Sequence, residues 1–431
     1  MKKLLLGGQI WQETGFTKLD ILIEGGKIIE IAKDLSAPYV ETVDCRGCFI
    51  FPAVCDMHVH AGEKVCGLDL ADDWKSLTWL ASQSGIAAIG AFITEQTGSD
   101  HRKKTLLQQY EKAQTYAVKD FKQSIHWHLT PKVSDVQDIF HLLKEGCDLK
   151  FYTTYKPNGL YRSYAEIARW MQDLGDIKPR ILVHCEDDET VNHYSNLFPF
   201  NHAYDHTKRR PEIAETKAVE RMLDLAVQYN YPVHIVHVSS PQSALLIKEA
   251  QKTAPVTCET APHYLLLNET CLQKENGHRW LCTPPLRTEQ SRGQLVELLQ
   301  DCVFDAIATD HCPFTINDKD QYKNTPEQVP MGIAGLGATF PLMYENLVKT
   351  GKLPMEKLVP LLSTHPAKLM NLHPQLGSIQ TGALAKLIIL NPEPLPKPVP
   401  VIASLSSAPN PWQEFSHTTN YKFFEVDHDT H

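Results

Sequence analysis

Three things are scarce in this chain, and each absence narrows what it can be. Long apolar runs are missing, so nothing approaches the roughly 18 residues that a membrane span needs. The opening Leu4-Leu5-Leu6 run breaks at Gly7-Gly8, short of the about 7–15 apolar residues of a secretory leader, and the expected location is the cytoplasm. Excess positive charge is missing too: 51 acidic side chains outnumber 42 basic ones, for a net charge of −9, which leaves no electrostatic footprint for nucleic acid. Paired cysteines are the third absence. The eleven cysteines are an odd number, and Cys45-Arg-Gly-Cys48 has no second ligand pair at the spacing of a structural zinc site. They read as reduced, buried or incidental thiols.

What is present is a long alternation of short apolar runs and helical segments. Strands are expected near 49–57, 86–94, 123–129, 147–153, 180–185, 232–238, 254–260 and 303–309, with amphipathic helices such as Ala165–Leu174, Glu212–Gln228 and Gln242–Lys252 between them. Eight βα units predict an α/β fold, a (β/α)8 TIM-like barrel, although a doubly wound open sheet shows a similar alternation. Residues 1–50 instead alternate apolar and polar positions around glycines, a texture that returns in Gly382–Leu390 and Phe423–Val426. The expected organisation is a barrel over 51–375 and a small β-sandwich domain built from both termini, 1–50 plus 376–431.

Histidines and an aspartate fall where barrel strands end. His58 and His60 close the first strand, and an i, i+2 pair shares one face. His184 ends the fifth strand, His237 the sixth and Asp310 the eighth. Barrel active sites lie at the C-terminal ends of strands, so these five converge on one mouth. The same spacing in His126-Trp-His128 on the third strand is read as a packed or hydrogen-bonded pair. His234, three residues before His237, is read as structural. Lys150 ends the fourth strand; by itself it reads as a lysine snorkelling at a strand end. A desolvated lysine loses its charge readily, however, and its neutral amine can take up carbon dioxide to give a carbamate.

With these residues placed, the chain resembles the amidohydrolase superfamily, specifically the cyclic amidase branch of dihydropyrimidinase (hydantoinase), allantoinase and dihydroorotase. The similarity rests on DMHVH at 56–60, KFYTTYK at 150–156, VHCED at 183–187, RPEIAE at 210–215, VHVSS at 236–240, ETAPHYLLL at 259–267, TPPLR at 283–287, TDHCPF at 309–314 and HPAKLMNL at 365–372. The resemblance implies two divalent metal ions, zinc suiting the donors best. His58, His60 and Asp310 would bind one, His184 and His237 the other, and N6-carboxylated Lys150 would bridge them. It also implies a dimer or tetramer acting on a small cyclic amide. A water activated between the ions would attack the ring carbonyl, with Asp310 as general acid/base and Tyr155 supporting the oxyanion.

The members of that branch differ at the substrate. Dihydroorotases usually read HxHxR, and Gly62 stands at the arginine's place here; Gln96 stands where the family has an asparagine, and TPPLR replaces NPPLR. These departures favour a hydantoinase-like pocket, in which main chain near Thr283 and Met331 would hold the ring amide. Dihydroorotase remains the alternative, with Arg162 or Arg287 supplying the lost contact, and Gly332–Leu336 is similar to its sequence. A non-catalytic scaffold is the alternative of another class.

Overall fold

The computed structural model describes residues 2–65, 67–96, 106–120 and 124–425. Eight strands form one all-parallel sheet in chain order: Val54–Val59, Ile86–Thr94, Ser124–Thr130, Asp148–Tyr152, Ile181–His184, Val233–Ile235, Val256–Thr260 and Ala306–Ile307. The ring closes where Val59 bridges His311 in parallel and the His60 N–H donates to the His311 carbonyl at 2.9 Å. This closure rules out the open doubly wound sheet. The side chain of His311 fixes the closing segment, because its Nε2 lies 3.1 Å from Asp72 while its Nδ1 accepts from the Gly335 and Leu336 N–H groups.

The barrel strands read as continuous apolar runs because both faces are covered. Val54–Val59 and Asp148–Tyr152 are buried at every position. Outside lie helices whose starts are set by capping side chains, such as Asp73 before Trp74–Ser84 and the reciprocal Ser163/Glu166 pair before Tyr164–Asp173. Inside, Phe92, Leu182 and Val236 pack as a small layer separate from the main core. The expected helices Glu212–Gln228 and Gln242–Lys252 are observed as Glu212–Tyr229 and Pro241–Ala250.

Strand boundaries differ from expectation at three places. The run 49–57 is two strands: Phe49–Pro52 pairs antiparallel with Leu387–Asn391, whereas Val54–Val59 enters the barrel. Pro52 has no N–H to continue a ladder, and Ala53 turns its own N–H to the Lys386 carbonyl. The sixth and eighth strands are shorter than expected, so His237 and Asp310 lie just beyond their ends, in left-handed backbone with φ of 40° and 50°.

Both chain ends meet in a seven-stranded sheet. Lys2–Trp11, Phe16–Glu24, Lys27–Ala32, Glu41–Asp44 and Phe49–Pro52 join Leu387–Asn391 and Asn420–Phe424. The proline-rich tract after Asn391 is mostly loop, as its composition suggests. Among the described residues no helix is long and apolar enough to cross a membrane, and the described cysteines are all free thiols.

Candidate metal centre

At the barrel mouth His58, His60 and Asp310 present ligand atoms that all lie within 4.8 Å of one another. Asp310 Oδ1 is 3.0 Å from His58 Nε2 and 3.6 Å from His60 Nε2. The opposite nitrogen of each ring is taken: His58 Nδ1 bonds Glu259, and His60 Nδ1 lies 2.6 Å from Glu63. A carboxylate only accepts, so each Nδ1 carries a proton toward its own glutamate and each Nε2 is the atom turned toward Asp310. His184 repeats the device in mirror form. Its Nε2 is 2.7 Å from Glu186, and its Nδ1 faces His237 Nε2 at 2.9 Å. Carboxylate–histidine pairs of this kind orient metal ligands. Two aromatic nitrogens that close need a proton or a cation between them.

The charges fit the same reading. Burial, then the His184 neighbour, holds His237 far below the usual histidine range, and burial also lowers His184. Both are therefore neutral and able to ligate. Asp310 resists the upward push of burial, because His58 and the hydrogen bonds of His58 and His60 keep its carboxyl well below the ordinary range. Those bonds from Asp310 and Glu63 overcome burial at His60 and raise it to about 9.

Lys150 is buried at 1% exposure, and its Nζ has no hydrogen-bond partner among the described residues. The nitrogen lies 5.1 Å from the Phe92 ring centre and 5.2 Å from that of Tyr152. Burial lowers its pKa to about 8, against the pull of Glu259 and Asp310. A lysine snorkelling outward would show an exposed nitrogen, and this one is enclosed. A buried amine with no hydrogen-bond partner among the described residues, under the pull of Glu259 and Asp310, fits a carboxylated lysine better than a snorkelling one.

The remaining expected residues scatter more. Tyr155 is half-buried with a φ of 70°, and its ring lies 5.2 Å from that of His184. Thr283 and Met331 do come together, with Oγ1 3.1 Å from the Met331 sulfur. Gln96 turns away from this chemistry: its amide donates to the carbonyls of Lys64 and Thr94, bracing that loop. Gly62 has a φ of +62°, and a Cβ built there would lie 2.1 Å from the Trp74 indole nitrogen. Neither proposed substitute arginine is available for a substrate. Arg162 donates to the carbonyls of Tyr161, Pro131 and Lys132, and Arg287 to Ser239, Glu215 and the Arg210 carbonyl.

Sequence reasoning missed Glu63, Glu186 and Glu259, which hold the histidines, and Trp74. Glu259 had a signal, a charged residue on a short, largely buried barrel strand; Glu186, two residues after His184, had a weaker one. His234 is structural as expected, bonding Thr257 and lying 3.3 Å from Glu259 behind His58. His126 and His128 are buried with Asp148 close enough to share a cation. Asp148, however, already accepts from His126 at 2.9 Å and from the Arg180 N–H at 3.0 Å, with the guanidinium of Arg180 at 3.4 Å. The pair is hydrogen-bonded packing, as expected.

A sequence profile described as the Amidohydrolase family matches residues 49–420. The chain belongs to the amidohydrolase family. This amidohydrolase is 29% identical over 401 residues to a dihydroorotase of Brevibacillus brevis, covering 90% of each chain. It is equally 29% identical over 410 residues to a D-phenylhydantoinase of Escherichia coli, covering 91% of this chain and 86% of that one. The solved dihydropyrimidinase of Brevibacillus agri superposes with a TM-score of 0.90 at 23% identity, over 99% of this chain and 94% of that one. At that identity the likeness is one of fold. The amidohydrolase therefore joins metal-dependent hydrolases, and its sequence relatives divide between two kinds of cyclic substrate.

Proposed function

We propose that this amidohydrolase opens an uncharged cyclic amide, a hydantoin or dihydropyrimidine ring, by hydrolysing a ring C–N bond. His58, His60 and Asp310 would hold one divalent ion, His184 and His237 a second, and carboxylated Lys150 would bridge them; zinc suits these donors best. When bound, the ions supply the Lewis-acid charge that activates water and polarises a carbonyl. Asp310 takes the proton of the attacking water and returns it to the ring nitrogen as the C–N bond breaks. Tyr155 donates its hydroxyl to the carbonyl oxygen as negative charge grows there.

The choice of ring rests on Trp74. Its indole fills the space beside Gly62 where the dihydroorotase arginine would start, and Arg162 and Arg287 are committed elsewhere. A substrate carboxylate would lack the bidentate partner that makes such recognition strong. The kinetic test is turnover of hydantoin, dihydrouracil, allantoin and dihydroorotate side by side. At least a tenfold higher kcat/KM is expected for the uncharged rings, equivalent to about 1.4 kcal/mol. A preference for dihydroorotate would overturn the ring assignment and support the second reading, which the Brevibacillus brevis relative favours.

Two further outcomes follow. Gly62→Arg is expected to lower the melting temperature without conferring dihydroorotate hydrolysis: the left-handed backbone alone costs a non-glycine residue roughly 1–2 kcal/mol, and Trp74 must also move. Scanning calorimetry and the same kinetic panel check this. Chelator treatment is expected to abolish activity, and zinc, manganese or cobalt to restore it, with two ions per chain by elemental analysis. Less than one ion in carefully purified protein would favour the scaffold.

A further inference from the structure

Arg210 closes the short helix Asp205–Arg209 and is followed by Pro211, at the start of Glu212–Tyr229. Its main chain is pinned from behind, since the Arg210 carbonyl accepts from Arg287 Nη1 at 2.5 Å. Arg287 is in turn held by Ser239 and Glu215. The arginine once eligible as a substrate contact is therefore an anchor for another arginine. That second guanidinium points into the centre, where its Nη1 bonds Glu186 Oε2. The same oxygen lies 2.7 Å from His184 Nε2. On its other side the guanidinium carbon is 4.9 Å from the Tyr155 ring centre.

We propose that Arg210 is a positioning residue that sets two parts of the centre together: the orientation and tautomer of His184, through Glu186, and the pose of the Tyr155 ring. This rests on the reading above of His184 as a ligand and Tyr155 as the substrate's hydrogen-bond donor.

The first arm follows from donor and acceptor accounting. Glu186 is fully buried, and a buried carboxylate is retained only when it is paired. The guanidinium, always charged, pairs it and leaves it an acceptor. His184 must then carry its proton on Nε2, which frees the Nδ1 lone pair toward His237. Without Arg210, Glu186 loses the partner that fixes its pose, and His184 loses the acceptor that sets which nitrogen faces His237.

The second arm follows from shape. Tyr155 sits in left-handed backbone, which a bulky residue adopts only when its surroundings hold it. A planar cation over the ring face supplies that hold. Lysine offers no such plane, so an Arg210→Lys exchange keeps the charge and removes the fit.

The test uses the full-length protein loaded with zinc or cobalt. Arg210→Lys is expected to fold with a melting temperature near that of wild type, because Glu186 keeps a cationic neighbour. Its affinity for the ion assigned to His184 and His237, measured by chelator competition, is expected to fall by about 10–100-fold, with the ion assigned to His58, His60 and Asp310 unaffected. On hydantoin or dihydrouracil, kcat is expected to fall at least tenfold with KM changed less than threefold. Tyr155→Phe should cost much less in the Arg210→Lys background than in wild type, since neighbours that act together are not additive. Wild-type ion affinity in Arg210→Lys, or equal Tyr155→Phe losses in both backgrounds, would overturn the proposal. If the Arg210→Lys protein does not fold, an Arg210→Met/Glu186→Gln double variant, free of the unpaired charge, takes the ion measurement; wild-type affinity there overturns the first arm. Should the wild-type chain open no cyclic amide at all, the substrate reading fails while the ion affinities still decide the His184 arm.

Discussion

Asp310→Asn is expected to lower kcat for cyclic amide hydrolysis by about 10³-fold, within the range general acid–base residues contribute, with little change in fold. Asparagine is isosteric and is among the few residues that tolerate the left-handed backbone found at this position. Its amide oxygen can still face His58 and His60, so one ion should remain bound. What disappears is the ability to accept a proton and pass it on. The neighbouring histidines keep the Asp310 carboxyl far below its ordinary range, so in wild type the base form persists into acid. Steady-state kinetics with parallel metal analysis separate the two effects. A variant that keeps its metal and hydrolyses at the wild-type rate would remove Asp310 from the proton-transfer role.

Lys150 carries the second large effect. Lys150→Met preserves the apolar stem between Phe92 and Tyr152 but removes the amine, and activity is expected to vanish along with tight binding of two ions. Lys150→Ala leaves a gap instead, and a short carboxylic acid such as acetate is expected to enter it and restore part of the activity. Such a rescue is expected of a position that acts as a carboxylate and not as an amine. The sign of the pH effect also follows. Uptake of carbon dioxide needs the neutral amine, and the buried lysine titrates at about 8. At equal free carbon dioxide, reloading metal-free protein with zinc should therefore run faster at about pH 9 than at about pH 6.5, where the charged form dominates. Intact-protein mass should show one added carbon dioxide. Full activity after reloading without any source of carbon dioxide would sink the carbamate.

His58 and His184 were legible because each sits at the end of an apolar strand that is buried on both faces, where a polar side chain stands out. His237 and Asp310 were expected where their strands end. They lie just past their shorter strands, in left-handed backbone. Lys150 required the family resemblance, since nothing local distinguishes an enclosed lysine from one that reaches solvent.

The eight strands and their order along the chain were written in the alternation of apolar runs and helical segments, because a parallel sheet covered on both sides needs uninterrupted apolar strands. Closure was not, since an open sheet needs the same strands; it was decided by the contact of Val59 and His60 with His311, some 250 residues away in sequence. The histidines of the candidate centre were likewise placed by sequence, but their ring orientations were set by Glu259, Glu63 and Glu186, which the fold brings to one nitrogen of each ring. Gly62 by itself left the substrate open. Only the packed structure put the Trp74 indole into the space an arginine would need, because which side chain fills a gap depends on elements that meet in three dimensions and not along the chain.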